Sequence, residues 1–188
     1  MTTTIPRDEL ARRIAEVAVL HGQFTLRSGR TSSYYVDKYR FSTQPDILSE
    51  LGRLFAQRIP DGTDRLAGAE LGGIPLVSAA AIASGLPCVF IRNQKKVYGT
   101  ARQIEGALNA GDRVVVLEDV ATTGGQVLEA AQALRDMGAR IVKIIAVIDR
   151  CEGARENVER AGCAFEALFT ISDLGINPSA ESSESPSP

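Results

Sequence analysis

The chain has 188 residues, 44% of them apolar, and a formal net charge of −2. That length predicts one domain with a sizeable core, and that charge excludes nucleic acid as a partner held by bulk electrostatics. No apolar run approaches the roughly 20 residues of a membrane helix, and Met1 to Arg7 lacks the basic-then-apolar layout of a signal peptide.

Cys88, Cys151 and Cys163 are odd in number and widely spaced, without a CxxC pair. They are expected to be reduced thiols of a cytoplasmic protein rather than a disulfide framework or a zinc site. His21 is the only histidine, which argues against His-rich metal sites and a Ser-His-Asp triad.

Leu10, Ile14, Val17 and Ala18 fall at helical spacing and predict a helix from Pro6 to Leu20, with Pro6 in its first turn and His21 as a helix-end residue. Residues 23–37 alternate like a hairpin turning at Ser28-Gly29-Arg30. This segment reads either as a solvated ribbon with Tyr34 and Tyr35 capping the core or as a lid. In the lid, Arg27 would face an anion and the tyrosines would offer rings for stacking. Gln44-Pro45-Asp46 opens a helix with Ile47, Leu48, Leu51, Leu54 and Phe55 on one stripe. A short strand over 65–69 runs into Glu70-Leu71-Gly72-Gly73-Ile74-Pro75 and an alanine-rich helix ending near Gly85. The glycines of that turn let backbone amides approach a ligand closely. Neither a Walker A pattern nor GxGxxG occurs in the chain.

After a strand over 87–91 comes a long polar and basic loop, Arg92 to Gln103, whose length points to function although a charged hairpin would look similar. Val114 to Leu117 is an aliphatic run of the kind found in buried parallel strands, and Glu118 and Asp119 stand where it should surface. Thr122-Thr123-Gly124-Gly125 forms a small-residue turn. Helical spacing then runs from Gln126 to Met137, with Gly138 as a C-cap glycine. Backbone N–H groups in such a turn, together with a helix N-terminus, can hold a phosphate, and the acidic pair can accept hydrogen bonds from sugar hydroxyls. A further aliphatic strand, 140–148, ends in Asp149-Arg150, and a last helix and strand follow to Ile171. From Asn177 the chain turns to Ser, Pro and Glu, so 177–188 is expected to be a disordered tail.

Strands alternating with helices predict an α/β fold with a parallel sheet and right-handed crossovers. Ligands bind such sheets at the carboxyl ends of the strands. Glu70 to Gly73, the Arg92 loop, Glu118 to Gly125 and Arg150 all follow strand ends, so one edge should carry the site.

Glu118-Asp119-Val120-Ala121-Thr122-Thr123-Gly124-Gly125 resembles the phosphoribosyl-pyrophosphate (PRPP) motif of the type I phosphoribosyltransferases. The hairpin 24–35, the loop 92–99 and Asp149-Arg150 are similar to those of the orotate phosphoribosyltransferases within that family, over about 11–175. The resemblance implies a central parallel sheet flanked by helices, with a small N-terminal hood, mainly 1–40, in a domain spanning 1–176. It implies conversion of orotate and PRPP to orotidine 5′-monophosphate and pyrophosphate with Mg²⁺, a step of pyrimidine biosynthesis. Val120, Ala121, Thr122, Thr123, Gly124, Gly125 and Gln126 would bind the 5-phosphate, and Glu118 and Asp119 the ribose hydroxyls. Leu71, Gly72 and Gly73 would cradle the pyrophosphate. Arg27, Tyr34 and Tyr35 would border orotate, and Arg150 would face it. Arg92, Lys95, Lys96 and Tyr98 would act on the leaving group from a loop, 92–103, shared across a homodimer. Mg²⁺ would be held mainly by PRPP and water.

This chain departs from many relatives in four places: Arg27 and Gly72 stand where lysine is common, Asn93 where lysine follows the loop arginine, and Tyr98 where histidine is common. Alternatives are a phosphoribosyltransferase for another base, and a regulatory protein that binds PRPP without turning it over. Arg150 favours an acidic base, and the lysines of the loop favour catalysis.

Overall fold

The computed structural model describes residues 4–25, 29, 31–93 and 103–177. Helix α1 (Arg7–Ala18) leads into an antiparallel ribbon of β1 (Val19–Thr25) and β2 (Thr31–Val36), followed by a short helix α2 (Lys38–Ser42) and by α3 (Pro45–Ala56). Then come β3 (Arg65–Ala69), α4 (Gly73–Ser84), β4 (Cys88–Ile91) and β5 (Ile104–Glu105). The second half runs β6 (Arg113–Ala121), α5 (Gly125–Asp136), β7 (Arg140–Asp149), α6 (Ala154–Arg160) and β8 (Ala164–Thr170).

The six strands β3 to β8 form one sheet in the order β5-β4-β3-β6-β7-β8. All neighbours are parallel except β4 and β5, which pair antiparallel through Phe90↔Glu105 and Ile91↔Ile104. From β3 the chain winds outward to β4, and from β6 it winds the other way to β7 and β8. The crevice between the carboxyl ends of β3 and β6 is therefore a topological switch point, where open α/β sheets bind ligands.

Val114, Val115, Val116 and Leu117 are fully buried, because helices cover both faces of the sheet. Val115 and Leu117 pack with Leu10, Phe41, Leu51 and Leu76, whereas Val114 and Val116 pack with Val127, Leu134 and Val158. Each such side chain contributes about 1.5–3 kcal/mol relative to exposure. The middle of β6 is thus fixed strongly, and its end is carried with it to the crevice.

Four local expectations need correction. Helix α1 stops at Ala18 rather than Leu20, since Val19 and Leu20 pair with Val36 and Tyr35 across the ribbon. His21 is then an exposed strand residue opposite Tyr34, not a helix end. Strand β6 continues through the acidic pair to Ala121, with Glu118 opposite Ala146 and Ala121 opposite Asp149 on β7. Ladder hydrogen bonds hold the backbone extended even where the side chains turn polar. Finally, β5 and α2 are too short to leave a periodic signal, and neither is predicted from the sequence. The expected tail, apart from Asn177, lies outside the described residues.

Candidate active site

The crevice opens into a cleft of about 530 Å³ whose wall includes Lys38, Glu70, Gly72, Arg92, Glu118 and Asp119. A second recess of about 300 Å³ is lined by Glu118 and the segment Val120 to Val127. Glu118 and Gln126 belong to both, so the two spaces adjoin. Four chain-distant segments meet here: the end of β6, the turn before α4, the end of β4 and the start of α2.

The turn Glu70-Leu71-Gly72-Gly73 leaves β3 and enters α4, with Leu71 exposed and Gly73 buried. The Glu70–Leu71 peptide is cis. Gly72 has no room for a side chain, because a Cβ there would lie 1.6 Å from Asp119 Oδ2. Asp119 is 2% exposed and is held by Lys38, whose Nζ lies 2.9 Å from Oδ2 and 3.2 Å from Oδ1. Burial pulls the Lys38 ammonium down, but the charges of Asp119 and Glu118 outweigh it and the net shift is upward.

Burial and the adjacent Asp119 carboxylate push Glu118 up to about 8, with Lys38 opposing in part. In the free protein at neutral pH, Glu118 is therefore mostly protonated and can donate a hydrogen bond. A donor beside an acceptor suits a vicinal diol, whose hydroxyls do both.

Thr122 to Gly125 forms the neighbouring turn. Gly124 sits at φ 80, in the left-handed region that favours glycine, and a Cβ there would come 3.2 Å from Val158. Helix α5 starts at Gly125 with no side-chain cap, so its first N–H groups are open to an anion. Gly125 is roomier, since a Cβ there would meet only Thr123 Oγ1, at 3.7 Å. Asn157 of α6 secures the turn from behind by donating to the Thr123 carbonyl at 2.9 Å. Ala121, at the end of β6, accepts from the Arg150 backbone N–H at 2.9 Å, so the two βα turns are tied together.

Arg150 is buried and lies under the ribbon. Its Nη2 donates to the Tyr34 hydroxyl at 3.0 Å, its guanidinium carbon is 4.9 Å from the centre of the Tyr34 ring, and Nε is 2.9 Å from Glu152. The turn presenting it is unusual: Cys151 has φ 59, and its N–H donates to Asp149 Oδ1 at 2.8 Å. Tyr34 and Tyr35 do not share a surface. Alternation along β2 buries Tyr34 against Arg150 and leaves Tyr35 41% exposed, with its ring 5.7 Å from that of Phe24.

Arg92 is at the cleft, 3.8 Å from Glu105, at the head of the antiparallel stem β4–β5. Its N–H donates to the Gln103 carbonyl at 2.8 Å. Next to it, Asn93 is stapled to the turn: its N–H reaches Glu70 Oε1 at 2.8 Å and its side-chain amide the Glu70 carbonyl at 3.2 Å. Arg27, Lys95, Lys96 and Tyr98 lie outside the described residues. Sequence reasoning missed Lys38, Asn157 and Glu152. A readable sign for Lys38 is Asp37 before it, an N-cap residue whose carboxylate accepts from the Tyr39 N–H.

Comparison with known proteins gives a consistent result. The Phosphoribosyl transferase domain family matches residues 40–165. The orotate phosphoribosyltransferase of Natronomonas pharaonis is 51% identical over 164 residues, covering 87% of this chain and 93% of that protein. The crystal structure of Mycobacterium tuberculosis H37Rv orotate phosphoribosyltransferase with Fe(III) dicitrate superimposes with a TM-score of 0.81 at 36% identity, covering 90% of this chain and 99% of that one. The same enzyme in complex with PRPP gives a TM-score of 0.77 at 33% identity, with 90% and 99% covered.

Proposed function

Because the chain belongs to the orotate phosphoribosyltransferases, a branch of the phosphoribosyl transferase domain family, we propose that it transfers the ribose 5-phosphate group of PRPP to orotate. The products are orotidine 5′-monophosphate and pyrophosphate, in the pathway to UMP. The observation that carries this reading is the adjoining pair of spaces at the switch point, joined at Glu118 and Gln126. One has the small-residue turn and open helix start that suit a phosphate. The other has carboxyl groups for a sugar and a glycine turn for a diphosphate.

In this reading Val120 to Gln126 bind the 5-phosphate, Glu118 and Asp119 meet the ribose hydroxyls, and the amides of Leu71, Gly72 and Gly73 cradle the pyrophosphate. Orotate lies beside the ribbon, bordered by Arg27 and by Tyr34, which packs on Arg150, while Tyr35 stands on the ribbon's other face beside Phe24. Arg150 pairs with its carboxylate, as a planar guanidinium suits a planar anion. The bond from the anomeric carbon to the pyrophosphate oxygen breaks as the bond to the orotate ring nitrogen forms, and the proton of that nitrogen leaves with the pyrophosphate. Positive charge builds at the sugar and negative charge on the leaving group. Arg92, Lys95 and Lys96 stabilise that negative charge, and Tyr98 supplies a hydrogen bond rather than a proton, given a reference pKa of about 10. The carboxyl-lined cleft offers the hard oxygen donors that suit Mg²⁺, which would arrive on the pyrophosphate and its water and neutralise part of the leaving charge. The loop 92–103 is shared across a homodimer, with Arg92 at its start lining this subunit's own cleft, and the reaction takes place in the cytoplasm, in keeping with the free thiols Cys88, Cys151 and Cys163.

The test is to mix the protein with PRPP, Mg²⁺ and orotate and follow the loss of orotate absorbance, with adenine and hypoxanthine in parallel. Turnover of orotate alone is expected. Reaction with a purine but not orotate would replace the base, and tight PRPP binding without any turnover would replace catalysis with a regulatory role.

A further inference from the structure

The turn that would take the pyrophosphate, Glu70 to Gly73, contains no cation of its own and one carboxylate. Among the described residues, the cleft wall carries the carboxyl groups Glu70, Glu118, Asp119 and Glu129 against only two cations, Lys38 and Arg92. Arg92 is turned towards Glu105, 3.8 Å away. Lys38 is different. Its Nζ bridges both oxygens of Asp119, and its Cε would be 3.4 Å from a Cβ at Gly72. The ammonium therefore lies beside the turn, in the space a side chain at position 72 would need.

Lys38 does not hang there on a free stem. The Asp37 N–H donates to the Ala18 carbonyl at 2.8 Å, the Asp37 carboxylate caps α2, and Phe41 is fully buried in the core. These anchors fix the backbone of Lys38 while its side chain stays 30% exposed to the cleft. An incoming diphosphate brings more negative charge than one carboxylate, and ribose hydroxyls compete for the same Asp119 oxygens.

We propose that Lys38 is a pyrophosphate-binding residue of this cleft: it holds Asp119 while the cleft is empty and turns its ammonium to the diphosphate of the donor substrate as the ribose engages Asp119. It supplies from α2 the positive charge that the Gly72 turn lacks. The assignment rests on the reading of the cleft as a PRPP site, so the test separates the two.

Calorimetric titration of the full-length protein with pyrophosphate and Mg²⁺, and separately with ribose 5-phosphate, is done for wild type, Lys38→Met and Lys38→Arg, alongside orotate turnover. Loss of one charge-assisted contact should weaken pyrophosphate binding by about tenfold or more and raise KM for PRPP similarly in Lys38→Met. Ribose 5-phosphate affinity and the KM for orotate should stay within about twofold, and Lys38→Arg should recover most of the loss. Equal pyrophosphate affinity in wild type and Lys38→Met overturns the assignment, and so does an equal loss for ribose 5-phosphate, which would mark Lys38 as a mere holder of Asp119. A wild type that binds neither ligand and turns over no base sinks the PRPP reading itself. Should Lys38→Met unfold because Asp119 is left buried and unpaired, the double variant Lys38→Met/Asp119→Asn is compared with Asp119→Asn. The same drop in pyrophosphate affinity is expected between those two, and no drop overturns the assignment.

Discussion

The two halves of the proposed site are built differently. The phosphate half is made of consecutive residues: β6, the turn Thr122 to Gly125 and the start of α5. Its scaffold strand is fully buried over Val114 to Leu117. The base half is assembled from far-apart pieces, with Tyr34 from the ribbon and Arg150 after β7, and Lys38 likewise reaches the pyrophosphate cleft from distant α2. A stretch that is continuous in sequence can hold the constant part of a substrate, because one strand–turn–helix unit carries all its donors. Discrimination of the variable part depends on tertiary contacts, and small changes in packing can retune it.

That contrast can be broken or sharpened by experiment. The largest effect is expected at the loop: Lys96→Ala should lower turnover by about 10²- to 10³-fold, as loss of a single group stabilising transition-state charge does, with little change in the melting temperature. A near-normal rate would remove the loop lysine from the mechanism and leave the two halves to act alone. Next, Arg150→Ala should raise KM for orotate by roughly 10- to 100-fold through loss of a charge-assisted pair, with much less effect on PRPP. Steady-state kinetics with each substrate varied decides this, and parallel increases would mean that the base half is not separate from the phosphate half. Tyr34→Phe removes only the hydroxyl that accepts from Arg150. A rise of about two- to tenfold in the same constant is expected, and an unchanged constant would show that packing alone orients the guanidinium.

The smallest effect concerns pH. Glu118 is raised from 4.5 to about 8 by burial and by Asp119. Folded protein keeps this proton where the unfolded chain has lost it, so the contribution to stability is full below pH 4.5 and declines until about pH 8. Carboxyls held low by partners, such as Asp46 beside Arg13 and Asp173 beside Arg7, act in the opposite sense, and only at acid pH. Denaturant melts between about pH 5 and pH 8 should therefore show a downward slope in wild type that flattens in Glu118→Gln. Identical slopes would mean that Glu118 is ionised throughout and accepts rather than donates at the sugar.

How legible each half was in the sequence follows from the same difference. Val114 to Leu117, the small-residue turn and the helical spacing after it are local patterns, and they led to the strand, the turn and α5, although not to the extension of β6 through Ala121. The alternating βα order led to the sheet, but β5, two residues long, and α2, five residues long, carry too few residues for any period. The apolar residues Val17 to Leu20 fit a helix and a strand equally well, and only pairing with β2 decides. Outside the continuous phosphate half, Lys38 has only the capping Asp37 as a local sign, and that marks a helix start rather than a site. Its place depends on where α2 docks beside β6. The separation of Tyr34 from Tyr35 was available from the two-residue period of a strand, yet which face is buried depends on Arg150, 116 positions away.

The close approach of Gly72 to Asp119 has an evolutionary consequence. Positions 38, 72 and 119 share one volume and one charge, so no one of them can change freely. A lysine introduced at 72 alone would displace the Asp119 carboxylate and crowd Lys38, whereas the same change made with a shortened residue at 38 relieves the crowding and leaves only the Asp119 side chain to move aside. The three positions are therefore expected to show strong epistasis, and paths that move the cation from α2 to the turn must pass through paired substitutions.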